Sequence, residues 1–245
     1  RQAAECLKER IHIELSDREI AFVQWATDDP SVDGNAASVE WCGPLGFEVL
    51  ANLEYMTLGI TNETPANSID RGDRLRLRPV NQEAAHSHHE FRDLVEETYR
   101  DTLDCPRLNA FRSVDQTLHG YRTSPAHTPE WWFLADGIET GIPIGALVLA
   151  RHDGRKNGPS SAAVLEIVYM GLIPSARGKR FGSELISSVL ALAKADGCER
   201  AILAVDRENS YAKTIYAEAG FEPLLNETVW GRRLHDESSA STRNS

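Results

Sequence analysis

The segment Leu165 to Gly182, LEIVYMGLIPSARGKRFG, constrains this chain more than any other. It reads as an apolar strand that stops at Pro174, turns through a basic, glycine-bearing loop and opens directly into a helix. A strand feeding a glycine loop at a helix N-terminus makes an anion site, because unpaired backbone N–H groups and the positive end of the helix dipole converge there. Gly178 and Gly182 let the backbone approach phosphate oxygens with no Cβ in the way. The N–H groups from Gly178 to Ser183 are free to donate, and Arg177, Lys179 and Arg180 add charge. If the backbone at Arg180 has a positive φ, its bulky side chain costs roughly 1 kcal/mol or more; if it does not, the guanidinium is free to clamp a phosphate bidentately.

The surroundings form an α/β series from about Leu75 to Leu234. Leu75 to Arg78 alternates like a strand, with Arg71, Arg74, Arg76 and Arg78 as a charged face. Glu83 to Leu103 carries Phe91, Leu94, Val95, Tyr99 and Leu103 at helical spacing. Ser113 caps a second helix to Tyr121. Trp131–Ala135 and Ile142–Ala150 pair around an Asp136-Gly137 turn, with Trp131 and Trp132 alternating between core and surface. Strand Val164–Leu172, helix Gly182–Asp196 with Gly197 as C-cap, strand Ala201–Val205 and helix Ser210–Ala219 follow. Two last strands, Phe221–Leu225 and Thr228–Leu234, are expected before a polar, disordered tail at 235–245.

The first sixty residues hide a partial repeat. Asn209 to Gly220-Phe221 is a step of eleven residues, and Asn35 to Gly46-Phe47 repeats it after a strand-like run from Ile20 to Trp25 and before another, Val49–Leu58. Cys42 takes the place of Tyr216, and no phosphate loop precedes it. Residues 1–60 are therefore expected to be the second half of the fold without its first half, 61–73 a linker, and 74–234 a complete domain. A half-sheet leaves open edges, so this piece is expected to dock on the complete domain or on a second chain, as in a homodimer.

Composition narrows the classes. A formal net charge of −11 over 245 residues argues against nucleic-acid binding, which needs a dominant basic face, and leaves room for a cationic substrate. Cys6, Cys42, Cys105 and Cys198 show no CxxC spacing, so neither a metal site nor a disulfide framework is indicated and a cytoplasmic setting is expected. His86, His88 and His89 lack a third ligand and read as a solvated helix surface. No apolar run nears the ~20 residues of a membrane span. The first residues, RQAAECLKER, lack the apolar stretch of a signal peptide, and the absence of a leading methionine suits a processed, truncated or clipped chain.

Two patterns carry a family resemblance. The loop Arg177-Gly178-Lys179-Arg180-Phe181-Gly182 matches Arg/Gln-x-x-Gly-x-Gly/Ala except at Arg180. Asn209, Ala212, Tyr216 and Gly220-Phe221 follow at set spacings. Together they make residues 75–234 resemble a GCN5-related N-acetyltransferase (GNAT) domain, and the N-terminal piece resembles part of the tandem arrangement of mycothiol-synthase-type enzymes. The resemblance implies an α/β (α+β) fold with a mixed, mostly antiparallel sheet flanked by helices. It implies acetyl-CoA as cosubstrate, a primary amine on a small molecule or peptide as acceptor, direct attack in a ternary complex, and no metal.

By the same resemblance the strand before the loop splays from its neighbour. The backbone of Met170 and Leu172 then bonds the pantetheine arm, with Gly171 between them allowing close approach. Arg177, Gly178, Lys179, Arg180, Phe181, Gly182 and Ser183 hold the pyrophosphate, and Asn209 caps or orients the next helix. Tyr216 protonates the departing thiolate, and Glu166 takes the proton of an amine that is mostly charged at neutral pH. A non-catalytic acyl-CoA-binding or regulatory module, which Arg180 and the partial repeat favour, and a bare scaffold are the competing readings.

Overall fold

Alternation and capping are enough to order most of the elements seen in the structure, a computed structural model that describes residues 6, 8–10, 13, 20, 22–28, 41–61, 74–81, 83–153 and 162–234. The linker at 62–73, most of the N-terminal helix expected after Asn35, and the tail from 235 lie outside the described residues. Among the described residues there are eight strands: β1 Phe22–Asp28, β2 Glu48–Gly59, β3 Leu75–Pro79, β4 His127–Gly137, β5 Pro143–His152, β6 Val164–Leu172, β7 Arg200–Asp206 and β8 Glu222–Arg233. Among the described residues the helices with both ends defined are α1 Ala85–Thr98, α2 Pro106–Phe111, α3 Val114–Thr123, α4 Phe181–Ala195 and α5 Ser210–Glu218. No helix among the described residues is long and apolar enough to cross a membrane.

The chain divides into two compact units, Glu54–Leu225 and a second made of Arg1–Leu53 with Asn226–Ser245. In the larger unit the strand order is β2-β7-β6-β5-β4-β3. β3–β4, β4–β5 and β5–β6 are antiparallel and β6–β7 is parallel. Successive residues of β4 and β5 point to opposite faces, as strand geometry requires. Phe133, Leu147 and Leu149 join Ile186, Val189 and Leu190 of α4 and Tyr216 of α5. Trp132, Leu134, Ala146 and Val148 join Phe91, Leu94 and Val95 of α1 and Leu118 of α3. Helices thus cover both faces of a mixed, mostly antiparallel sheet, as expected.

In the smaller unit the order is β1-β8-β2. β1 pairs β8 antiparallel from Phe22↔Arg233 to Asp28↔Glu227. The indole N–H of Trp230 donates to Thr27 Oγ1 at 3.1 Å. The two Gly-Phe steps close alike. Gly46 N–H donates to Gly43 O and Phe47 N–H to Cys42 O, while Gly220 N–H donates to Ala217 O and Phe221 N–H to Tyr216 O. Both glycines are left-handed, with φ of 83° and 95°, as a helix C-terminus of this kind demands.

Three expectations fail. The helix read to Leu103 ends at Thr98, because Asp101 has φ of 52° and breaks the winding; Leu103 is exposed. The short helix α2 was not foreseen; it starts from a left-handed Cys105 with Pro106 in its first turn. The two last strands are a single one, β8, in which Asn226 and Glu227 stay extended.

Candidate functional site

β6 is held on one side along its length and on the other only at its start. It pairs with β5 from Val164↔His152 to Leu172↔Gly145. Its ladder with β7 runs only from Val164↔Arg200 to Ile167↔Leu203, although β7 continues to Asp206. The strands fork after Ile167. A one-residue register shift against β5, between Val148↔Tyr169 and Leu149↔Ile167, leaves Val168 as a bulge at the same point, and a bulge bends its strand away from a neighbour. The edge of β6 from Val168 to Leu172, including Met170 and Leu172, faces the fork.

After β6 the chain makes a single 3-10 turn, Pro174–Ala176, and the loop then leads into α4. Gly178 has φ of 72° and Arg180, the residue before α4, has φ of 67°. Arg180 therefore does occupy the left-handed region. No side chain caps α4. Among the described residues, none of the backbone N–H groups from Gly178 to Ser183 donates to a carbonyl outside the helix, and the first turn of a helix has no internal acceptors. Gly178, Lys179 and Arg180 are exposed.

One side chain of the loop is engaged within the protein itself. Arg177 turns inward: its Nε donates to Leu172 O at 3.1 Å, Nη1 to Asp101 O at 2.9 Å and Nη2 to Thr98 O at 2.7 Å. It ties the loop to the end of α1, and its guanidinium is spent on carbonyls. A Cβ on Gly178 would meet open space, whereas one on Gly182 would lie 3.0 Å from Ile215 Cδ1. Gly178 answers to its left-handed backbone, and Gly182 serves the close packing of α4 on α5. Phe181 lies under Arg74, whose Cζ is 4.4 Å from the ring centroid. Arg74 also donates to Lys179 O at 2.9 Å and pairs with Glu184. It clamps the loop, where the sequence suggested a charged strand face. Ser183 is half-buried and its carbonyl accepts from Ser187 Oγ at 3.0 Å.

Gly171 also has a neighbour that the sequence does not announce. A Cβ there would collide with the Tyr169 hydroxyl and lie 2.9 Å from Thr98 Oγ1. That hydroxyl is bonded to Thr98. The room beside Gly171 is taken by the protein's own phenol.

Glu166 sits one residue before the last rung of the β6–β7 ladder, opposite Ala150 on β5 and Ile202 on β7. His152 Nε2 lies 2.6 Å from Glu166 Oε2, across the β5–β6 pair on the same face. Both side chains are partly exposed. Pairing places Glu166, Ala150 and His127 in one row across β6, β5 and β4. His152 went unnoticed in the sequence, since a diagonal contact depends on the register.

Tyr216 lies on α5, buried, with its ring 6.0 Å from that of Phe221. Burial pushes its phenol well above the ordinary range, and the charge of Asp104 adds to this. Among the described residues its hydroxyl has no hydrogen-bond partner, and it is not among the polar atoms sealed from solvent. Asn209 is the N-cap of α5, accepting from Ala212 N–H at 3.2 Å. Asp104 and Cys105 approach the end of β7: Asp206 N–H donates to Asp104 Oδ1 at 3.3 Å, and Cys105 N–H to Asp206 Oδ2 at 3.2 Å. Burial raises the Asp104 carboxyl above its usual value and pushes the Cys105 thiol far up, so that thiol is no nucleophile.

Comparison with known proteins accords with this geometry. A mycothiol acetyltransferase from Salinispora tropica is 32% identical over 119 residues, which are 46% of this chain and 39% of that protein. One from Stackebrandtia nassauensis is 27% identical over 106 residues, 43% of this chain and 35% of that protein. The matches thus span well under half the length of these relatives. Among solved structures, a GCN5-related N-acetyltransferase from Sphaerobacter thermophilus superposes with a TM-score of 0.57 at 16% identity, over 88% of this chain and 60% of that one. Another from Kribbella flavida gives 0.53 at 13% identity, over 95% and 76%. The model of the Acetyltransferase (GNAT) family matches residues 89–221, a span that takes in the fork, the loop and Tyr216, and the chain belongs to that family.

Proposed function

We propose that this chain transfers an acetyl group from acetyl-CoA to a primary amine by direct attack in a ternary complex. The observation that carries this reading is the fork after Ile167, which opens beside an uncapped α4 N-terminus with free N–H groups from Gly178 to Ser183. The bound cosubstrate supplies an activated thioester. The N–H run and the helix dipole suit its pyrophosphate, and the edge of β6 at Met170, past the end of the ladder with β7, suits an extended amide-bearing arm; the Leu172 carbonyl is already engaged by Arg177. Lys179 and Arg180 are exposed beside the run; Arg177 contributes through the shape of the loop.

Glu166 accepts the proton of the incoming amine near the root of the fork, oriented by His152. Tyr216 gives its proton to the leaving thiolate. Burial keeps that phenol protonated at neutral pH, as a general acid must be. Similarity to mycothiol acetyltransferases puts small thiol-bearing amines first among acceptors to screen, ahead of polyamines, aminoglycosides and lysine peptides.

Left-handed Arg180 favours one rival, a module that binds acyl-CoA without turning it over. Calorimetric titration of acetyl-CoA, followed by thiol release with the amine panel for the native chain and Tyr216→Phe, separates the two. Micromolar binding and turnover that Tyr216→Phe lowers by about 10²-fold or more is expected of the enzyme. Binding without turnover under every amine supports the module.

A further inference from the structure

The strand beside β7 is not the one that follows α5 in the chain. It is β2, from the N-terminal side of the linker. Ile60 N–H donates to Glu199 O at 2.8 Å, and Thr57 Oγ1 to Ala201 O at 3.3 Å. Alternate residues of β2 then line α5 from its first turn to Gly220 just past its end. Glu54 Oε2 is 2.8 Å from Lys213 Nζ, with the Glu54 side chain only 14% exposed. Met56, 2% exposed, packs in the core that holds Tyr216, and Ile215 packs against the same core. Leu58 Cδ1 lies 3.4 Å from where a Cβ on Gly220 would be. The smaller unit repeats the pattern. Both strands are twelve residues long and begin at the residue after Gly-Phe. Counting from those steps, Trp230 matches Met56 and Arg232 matches Leu58. Trp230 packs with Cys42, the counterpart of Tyr216, and Arg232 Nε lies 3.6 Å from the Cβ position of Gly46.

We infer that β2 and β8 are exchanged between the two halves of an internal repeat, and that Glu54, Met56 and Leu58 are positioning residues for α5 and hence for Tyr216. The acetyltransferase unit accordingly begins at Glu54, ahead of the linker. The part concerning Tyr216 rests on the function proposed above; the exchange does not.

Two measurements on the full chain test this. In native-state hydrogen exchange, the amides of residues 54–60 should open together with those of Arg200–Asp206, because they share one sheet. Opening of 54–60 at a much lower free energy, independent of β7, overturns the exchange. In steady-state kinetics with acetyl-CoA and the best amine of the panel, Met56→Ala and Glu54→Gln should lower kcat between about tenfold and a hundredfold with KM for acetyl-CoA unchanged. Met56→Leu should restore kcat. Neither substitution should lower kcat further in a Tyr216→Phe background, which marks action through Tyr216. Leu134→Ala, in the other core, supplies a destabilised variant whose kcat should hold. Native kcat in Met56→Ala and Glu54→Gln, with Tyr216→Phe impaired, overturns the positioning role and leaves the functional reading intact. Native kcat in Tyr216→Phe overturns the role of Tyr216 itself, and the exchange then stands or falls on the amides.

Discussion

His152 Nε2 lies 2.6 Å from Glu166 Oε2, a bond that joins the last residue of β5 to the carboxylate beside the fork. The contact engages one oxygen of Glu166. Glu166→Gln keeps the shape and removes the base proposed above, so kcat should fall by about 10²–10⁴-fold if that role holds. His152→Ala should lower kcat less, because the carboxylate remains but loses its orientation. Steady-state rates at saturating acetyl-CoA measure both. An unchanged rate in Glu166→Gln removes this residue from the mechanism.

Arg180 holds a left-handed backbone at φ of 67°. For a residue with a Cβ this costs about 1–2 kcal/mol, and glycine would regain most of it, less the added freedom of its unfolded chain. Arg180→Gly should therefore raise stability by about 0.5–1 kcal/mol, read from urea unfolding. Tighter acetyl-CoA binding in the same variant would mean that the arginine obstructs the loop; weaker binding would mean that its charge helps.

Gly171→Ala should destabilise by about 1–3 kcal/mol, as overpacking does, because the new methyl meets the Tyr169 hydroxyl and Thr98 Oγ1. Tyr169→Phe removes the obstructing hydroxyl and should recover part of that loss. Thermal or urea unfolding of the two single variants and the double variant shows whether the pair couples.

Alkaline pH should weaken the fold. Burial raises the phenols of Tyr121, Tyr169 and Tyr216 above their ordinary value. Each keeps its proton in the folded chain after the unfolded chain has lost it near pH 10. Their contribution is whole below about pH 10 and is lost as pH rises toward the folded values. Unfolding midpoints should drop above pH 10, and Tyr216→Phe should show a shallower drop.

Much of this was legible because short-range physics sets it. β6 is bounded by Pro174, α3 opens on a Ser113 capping box completed by Gln116, and α5 opens on Asn209. The fork was legible only through family likeness. Long-range register was not legible. His152 and Glu166 meet because the register pairs Val164 with His152 and Ala150 with Glu166, and Arg177 turns inward onto two carbonyls at and just past the end of α1. Asn226 looks like a turn former, yet pairing with β1 keeps its neighbour Glu227 extended. The place of β2 beside β7 is a property of the whole sheet, which no window of a dozen residues contains.

The bond from Thr57 to Ala201 spans 144 positions. On a ribosome the early strand must wait until β7 has been made before its edge can close. Until then Met56, Leu58 and Ile60 remain without the core they belong to. Contacts so distant in sequence slow folding and lengthen exposure to aggregation, so the order of synthesis itself makes this protein dependent on a late event.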